Sequence, residues 1–75
     1  MKVWFKHDAF CGYEMKYKDR EAAEIAVLAV LRWEINAYHD GEQSEELERD
    51  FKQAHDEFLR DGKINWGQVT AELED

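Results

Sequence analysis

The chain has no proline, one cysteine and four glycines in 75 residues. Cys11 alone cannot form a disulfide within the chain, and such sparse cysteine is typical of a reducing compartment. No apolar run approaches the roughly 20 residues that span a bilayer, and no signal-peptide segment follows Met1. These absences predict a cytoplasmic protein that does not enter a membrane.

Basic residues are also scarce, with 10 against 18 acidic residues and a net charge of −8. Residues 1–20 hold five basic and three acidic groups, whereas residues 41–75 hold eleven carboxylates and four basic groups. Contacts with phosphates need clustered Lys and Arg, so direct nucleic-acid binding is not expected. The charge favours a protein partner with a basic surface.

The length allows a single domain, residues 1–75, with one modest core. A core of this size contributes only about 3–5 kcal/mol of net stability. Because no disulfide can add to it, self-association as a homodimer becomes a reasonable expectation. No motif for a cofactor is present, so none is expected.

The first eighteen residues predict an antiparallel β-hairpin. Residues 2–7 are rich in aromatic and β-branched side chains, residues 8–12 have turn character, and residues 13–18 alternate between apolar and charged. Tyr13, Met15 and Tyr17 share one face. An isolated hairpin is barely stable, so its apolar face is expected to pack on a helix.

Two long helices follow in the prediction. Asp19 is a good N-cap for a helix that extends to about His39, with a bulky apolar face of Val27, Leu28, Leu31, Ile35 and Tyr38. Ser44 caps a second helix, which buries Leu47, Phe51, Ala54 and Phe58 and ends at Gly62.

The last segment carries a helix-start signal. Asn65 and Gln68 match a capping box, and Ile64 and Val69 match a hydrophobic staple. The predicted fold class is therefore α+β, an N-terminal antiparallel β-hairpin packed on a long central helix that is followed by two further helices (ββααα).

An acidic stripe runs along the second predicted helix. Its members recur every three or four residues and share one side of the helix, and they are Glu46, Asp50, Gln53, Glu57 and Asp61. Glu46 and Asp50, and likewise Glu57 and Asp61, are about 6 Å apart along the axis, close to the phosphate spacing of a nucleic-acid strand. The stripe is interpreted either as a solvated flank or as a partner-binding, nucleic-acid-mimicking surface. Glu42, in the preceding loop, and Trp4, which points outward if Val3 and Phe5 point inward, complete the predicted partner-binding set.

The central helix has a second apolar side, the alanine-rich face. Its members are Ala22, Ala26, Ala29, Val30, Trp33 and Ala37. Small side chains allow another helix to approach closely, from the same chain or from a second copy, so this face is the candidate for self-association. Trp33 and Trp66 are interpreted mainly as core residues.

Signals for catalysis or metal binding are weak. His7, His39 and His55 each precede an aspartate, but none has the i, i+4 spacing of a helical metal site. A contact between Cys11 and His7 is conceivable, yet no third orienting group is evident. The chain is predicted not to be an enzyme, and its acidic second helix argues against a helix-turn-helix DNA reader.

The overall style resembles the small inhibitor proteins of bacteriophages and mobile elements, the anti-CRISPR group among them. The resemblance rests on the predicted hairpin over residues 3–17, the long helix from Arg20 and the acidic C-terminal half. It implies a non-enzymatic inhibitor in a bacterial host cytosol, whose target is a host protein with a basic, nucleic-acid-binding surface. The alternative is a structural or regulatory homo-oligomer assembled through the alanine-rich face.

Overall fold

The computed structural model describes residues 1–8 and 10–74, with Phe10 described by its backbone alone. The elements in chain order are β1 (Lys2–His7), β2 (Phe10–Lys16), α1 (Arg20–Tyr38), α2 (Glu45–Asp61), β3 (Lys63–Trp66) and β4 (Val69–Glu74). The chain is therefore α+β, with the order ββααββ.

The four strands form one antiparallel sheet in the order β2-β1-β4-β3. Two hairpins, β1–β2 and β3–β4, join through the central pair, in which Val3 lies opposite Leu73 and Phe5 opposite Ala71. β1 and β4 come from opposite ends of the chain, so the second hairpin completes the sheet that the first one begins.

The predicted third helix is wrong. Residues 63–66 and 69–74 are strands, and Gly67 with Gln68 forms the two-residue loop between them. Gly67 has φ = 58°, as the first loop position of a type II′ turn requires. Asn65 lies opposite Thr70 in the sheet and is not a helix cap.

The N-terminal hairpin is confirmed, with a shorter turn than the sequence predicts. β2 already begins at Phe10, so Cys11 and Gly12 belong to the strand. The pairing with β1 shifts register between Phe5 and His7. Ala9, the second residue of the predicted turn, lies outside the described residues.

α1 begins where the sequence predicts. The Asp19 side chain accepts a hydrogen bond from the amide of Ala22 at 2.8 Å. The helix buries one face, formed by Ala23, Val27, Leu31 and Ile35. Tyr38, predicted for that face, is 70% exposed, because it lies in the last turn of the helix, where its ring packs edge-on against His39 and Trp66.

α2 also has the predicted bounds. Ser44 Oγ accepts from the amide of Leu47, and Gly62 ends the helix in the left-handed region at φ = 72°. Leu47, Ala54 and Phe58 are buried, while Phe51 is half-buried beneath the guanidinium of Arg32.

Both helices lie on one face of the sheet. α1 packs against β4 and α2, and α2 packs against β3. The core between the layers contains Val3, Phe5, Ile64 and Ala71 from the sheet. The opposite, outer face carries no helix, and Trp4, Glu14 and Glu72 lie in register across it. In the described part of the chain, neither helix is long and apolar enough to cross a membrane.

Candidate functional site

The acidic stripe lies on a helix that is fixed at both ends and along its buried side. Ser44 caps its start, Gly62 ends it, and Phe58 is completely buried between them. Since the outward side chains are carried by a rigid backbone, their spacing is preserved on the surface.

The structure places all five stripe residues on α2, and their surroundings differ. Glu46, Gln53 and Glu57 are exposed. Asp50 is half-buried, with Oδ2 2.9 Å from His39 Nε2. Among the described residues, Glu46 and Glu57 have no ion pair within 4.0 Å, although Arg60 is near enough to sense the charge of Glu57.

Asp61, the last member of the stripe, is tied to its neighbour. Arg60 donates from Nε and from its second terminal nitrogen to the two carboxylate oxygens, at 3.0 and 3.1 Å. These hydrogen bonds lower the pKa of Asp61 below its usual value. The stripe thus presents two free carboxylates and two partnered ones.

The rest of α2 is closer to neutral. Lys52 and His55 both lie 3.1 Å from the carboxylate of Asp56, and hydrogen bonds from His55 first and Lys52 second lower the pKa of that group. Glu48 accepts from Arg32 of α1 at 2.7 Å, which lowers the pKa of Glu48. The partner of Glu48 thus comes from the other helix, whereas Lys52 and Asp56 form an i, i+4 pair within α2.

The C-terminal end of the stripe opens into a shallow groove of about 260 Å³ beside the β3–β4 hairpin. Glu57 and Asp61 line one side of this groove, and Lys63, Asn65 and Glu72 line the other. The surface carboxylates therefore continue from α2 onto the hairpin.

The outer face of the sheet holds further acidic residues that the sequence analysis assigned to a helix or left out. Glu74 hydrogen-bonds with Glu14 across β1, and this contact raises the pKa of Glu74, with desolvation and the negative charge of Glu14 and Glu72 adding to the effect. The signal that could have located Glu72 and Glu74 is the period-two pattern of Val69, Ala71 and Leu73.

Trp4 lies on this outer face, where strand alternation predicts it, and is half-buried. Its indole covers Gly12, since a methyl group on Gly12 would lie 2.1 Å from Trp4 Cζ2. Glu42 is exposed in the loop before α2. Trp4 and the acidic stripe lie on opposite layers of the molecule, so the predicted partner-binding set does not form a single patch.

The alanine-rich face of α1 is exposed to solvent or half-buried along its length. Ala29 and Ala37 are exposed, Ala22, Ala26 and Val30 are half-buried, and Trp33 is 64% exposed. Ile25, at 62% exposure, extends the same face. The prediction that Trp33 belongs to the core is wrong, because the sheet and α2 pack only on the face of α1 that carries Val27 and Leu31. Trp66 is half-buried against the core.

The candidate catalytic groups do not form a recognisable centre. Cys11 is exposed on β2. His7 Nε2 lies 3.6 Å from Glu34 Oε2, which joins β1 to α1, and His39 joins α1 to α2 through Asp50. Within the residues that the structure describes, no group of three or more His, Cys, Asp or Glu side chains is placed to hold a metal ion.

Comparison of the chain with protein-family models, curated proteins and solved structures finds no match.

Proposed function

We propose that this chain is a non-enzymatic binding protein that inhibits a nucleic-acid-binding protein by occupying its basic groove. Its acidic stripe on α2 would replace the nucleic acid there. The likeness in style to anti-CRISPR inhibitors supports a target of the kind found in CRISPR surveillance complexes, in which lysine side chains line a DNA channel.

The observation that carries the proposal is the contrast between the two sides of α2. Glu46 and Glu57 are exposed, have no ion pair among the described residues, and share their side of α2 with no basic residue. The other polar side has no net formal charge, because it holds three acidic and three basic residues, Glu45, Glu48, Asp56, Arg49, Lys52 and Arg60. A surface that served only solubility would not need its unpaired carboxylates on one side of the helix. Unpaired carboxylates on one side leave a directed negative potential, which steers a positively charged partner into one orientation.

The spacing of the carboxylates also suits a groove that binds nucleic acid. Glu46 and Glu57 are eleven residues apart, about 16 Å along the helix axis, and Asp50 and Asp61 lie about 6 Å beyond each of them. Glu72 of β4, which lines the groove beside the stripe, lengthens the acidic surface beyond the helix. This row resembles a short stretch of phosphates held on a rigid support.

The proposal is tested with a purified DNA-binding CRISPR surveillance complex and a labelled DNA duplex. The chain is expected to displace the duplex, and less effectively as salt rises from about 0.1 to about 0.5 M, because screening shortens sharply over that range. Displacement that is independent of salt, or no displacement of DNA from the complex, would contradict an electrostatic inhibitor.

A matched pair of variants tests the site. Glu46→Lys reverses a stripe carboxylate, whereas Glu45→Lys makes the same change of charge one residue earlier, about 100° away around α2. We expect Glu46→Lys to weaken inhibition about tenfold, equivalent to about 1.4 kcal/mol, and Glu45→Lys to have a small effect. Equal effects would show that overall charge, and not the stripe, determines binding. A gel shift with bare DNA would instead favour a DNA-binding protein.

A further inference from the structure

The β2 strand lies at one edge of the sheet and has a free row of backbone groups. The Tyr17 amide donates to Met1 O at 2.8 Å, and the Met1 amino group donates to Tyr17 O at 3.1 Å, so Tyr17 faces β1. Backbone groups alternate along a strand, and Met15 and Tyr13 pair regularly with Val3 and Phe5. The N–H and C=O groups of Glu14 and Lys16 therefore point away from the sheet, at an edge that can accept another strand.

An uncovered apolar surface adjoins this edge. Tyr13 and Met15 point toward the helix layer but remain 52% and 44% exposed, because neither helix lies over β2. Val30 and Trp33 of α1 form the wall of a mainly apolar groove of about 250 Å³ whose floor includes Phe5 and Tyr13. Tyr13 and Trp33 alone expose about 200 Å² of aromatic surface, given about 150–250 Å² for a whole aromatic side chain.

We infer that a second copy of this chain occupies the edge, and that the two copies form a two-fold dimer in which β2 pairs antiparallel with β2 of its partner about Met15. The two sheets become one continuous eight-stranded sheet. On the helix-facing side of the joined sheet, Tyr13 and Met15 of the two copies lie together over the paired strands, next to the groove that Trp33 lines in each copy.

Hydrogen bonding limits the register. The outward backbone groups of β2 belong to Glu14 and Lys16. In each hydrogen-bonded pair between the two β2 strands, both residues must therefore be even-numbered. With Met15 on the two-fold axis, Glu14 lies opposite Lys16 of the partner and Lys16 opposite Glu14 of the partner. Met15 then lies opposite Met15 of the partner, and Tyr13 lies opposite Tyr17 of the partner, so an apolar row forms on the side of the joined sheet that carries the helices.

Charge selects this register from its neighbours. Centring the axis on Glu14 would place two carboxylates directly opposite each other, which is destabilising. Within one copy, Lys16 lies opposite Lys2, and Glu14 hydrogen-bonds with Glu74 under mutual repulsion. The Met15-centred register places Lys16 of the partner beside the Glu14–Glu74 pair. It places Glu14 of the partner beside the Lys2–Lys16 pair. Each like-charge contact of the single copy is thus relieved by the other copy.

The same charge pattern favours a second copy over an unrelated strand. In a two-fold interface the same surface of each copy is in contact. Glu14 of one copy then lies opposite Lys16 of the other, and Lys16 opposite Glu14, so the surface is complementary in charge to a second copy. Burial of roughly 800 Å² per partner is usual for a stable interface. That is about one seventh of the 5183 Å² surface of the chain.

A charge-exchange series, measured by sedimentation equilibrium of the full chain from about 1 to about 500 μM, tests the register. We expect the dissociation constant to rise about tenfold or more for Glu14→Lys and for Lys16→Glu, each of which places like charges opposite each other. The double variant should return to within about threefold of the original chain, because opposite charges face each other again. The control is Glu72→Lys, which changes the net charge by the same amount as Glu14→Lys. Residue 72 is on the same outer face but away from the β2 edge, so this variant should leave the dimer intact.

A strict monomer across that range would overturn the inference, as would a dimer that is insensitive to both single variants. Glu14→Lys should still fold, since it removes the repulsion between Glu14 and Glu74, and thermal unfolding at low concentration checks this. A face that captures only a different protein, while the chain itself stays monomeric, would also overturn it.

Hydrogen exchange supplies an independent readout. The amides of Glu14 and Lys16 should exchange rapidly in dilute solution and become protected as the concentration rises. The matched control is the other sheet edge, where Leu73 donates to Gly62 O and the alternation therefore directs the amides of Lys63 and Asn65 outward. Protection at Lys63 and Asn65 in place of Glu14 and Lys16 would show that the wrong edge was assigned.

Discussion

At the scale of single residues, the pairing of Trp4 with Gly12 shows how one side chain determines its neighbour. Trp4 lies opposite Glu14, which is two residues from Gly12 along β2, and its indole occupies the space above the glycine. A Cβ at position 12 would approach Trp4 Cζ2 and Cη2 to 2.1 and 2.5 Å. Gly12 is therefore required by its neighbour and not by its backbone, since its φ is not in the left-handed region.

Gly12→Ala is predicted to displace the indole and to lower the free energy of unfolding by about 1–3 kcal/mol, the usual cost of overpacking. In a Trp4→Ala background the same change should be neutral or stabilising, because alanine is favoured over glycine in a strand by about 0.5–1 kcal/mol. Denaturant unfolding of the four chains measures the coupling. Equal effects of Gly12→Ala in both backgrounds would show that the indole does not cover Gly12.

Local chemistry accounts for the residues that were predicted correctly. Asp19, Ser44 and Gly62 act within one turn of their own helices, so the sequence alone identifies them. Trp33 was assigned wrongly because its burial depends on which elements pack against α1, and that is decided by the sheet and α2. The same dependence applies to Arg32, whose partner Glu48 lies sixteen residues away.

At the scale of elements, the C-terminal hairpin shows how two local patterns compete. Asn65 and Gln68 have the spacing of a capping box, but apolar residues alternate on both sides of a two-residue loop that begins with Gly67. The alternation prevails because β4 inserts between β1 and β3, a pairing of residues about seventy positions apart. The alternation was therefore the local signal for the second hairpin, whereas its pairing with β1 joins residues that local rules do not connect.

Gly67 tests the assigned turn. A methyl group there would meet Glu34 only at ordinary contact distance, so the cost of substitution lies in the positive φ of 58°. Gly67→Ala is predicted to destabilise the chain by about 1–2 kcal/mol, or roughly 4–16 °C in Tm for a domain of this size. D-alanine at position 67, introduced by chemical synthesis, favours positive φ and should stabilise the turn. Equal melting temperatures for the two alanine enantiomers would contradict this backbone conformation.

At the scale of the whole molecule, charge is distributed unevenly between surfaces. The acidic stripe and the groove beside it carry unpaired carboxylates, while the β2 edge combines Glu14 with Lys16, and the alanine-rich face is apolar. The acidic composition predicted a negative surface. It did not predict that the β2 edge, with Glu14 and Lys16, lies outside that surface. That separation depends on the fold, because it follows from the position of β2 at the edge of the sheet.

The net charge of −8 leads to a prediction about salt. The ion pairs that Lys and Arg side chains form within the described residues lie at the surface and contribute little, so repulsion among excess carboxylates should dominate near pH 7. Raising sodium chloride from about 0.01 to about 0.1 M shortens the screening length from about 30 to about 10 Å and should raise Tm by a few degrees. At the isoelectric pH of about 4.8 the repulsion is removed, and the same salt should leave Tm unchanged or lower it, since attractive pairs such as Arg32–Glu48 are also screened.

Thermal unfolding at both pH values measures the effect, and Glu14→Lys serves as the control, because salt would also favour association of two negatively charged copies. If the rise in Tm near pH 7 persists in that variant at low concentration, it belongs to the single folded chain. A fall in Tm with salt near pH 7 would mean that attractive pairs outweigh the repulsion.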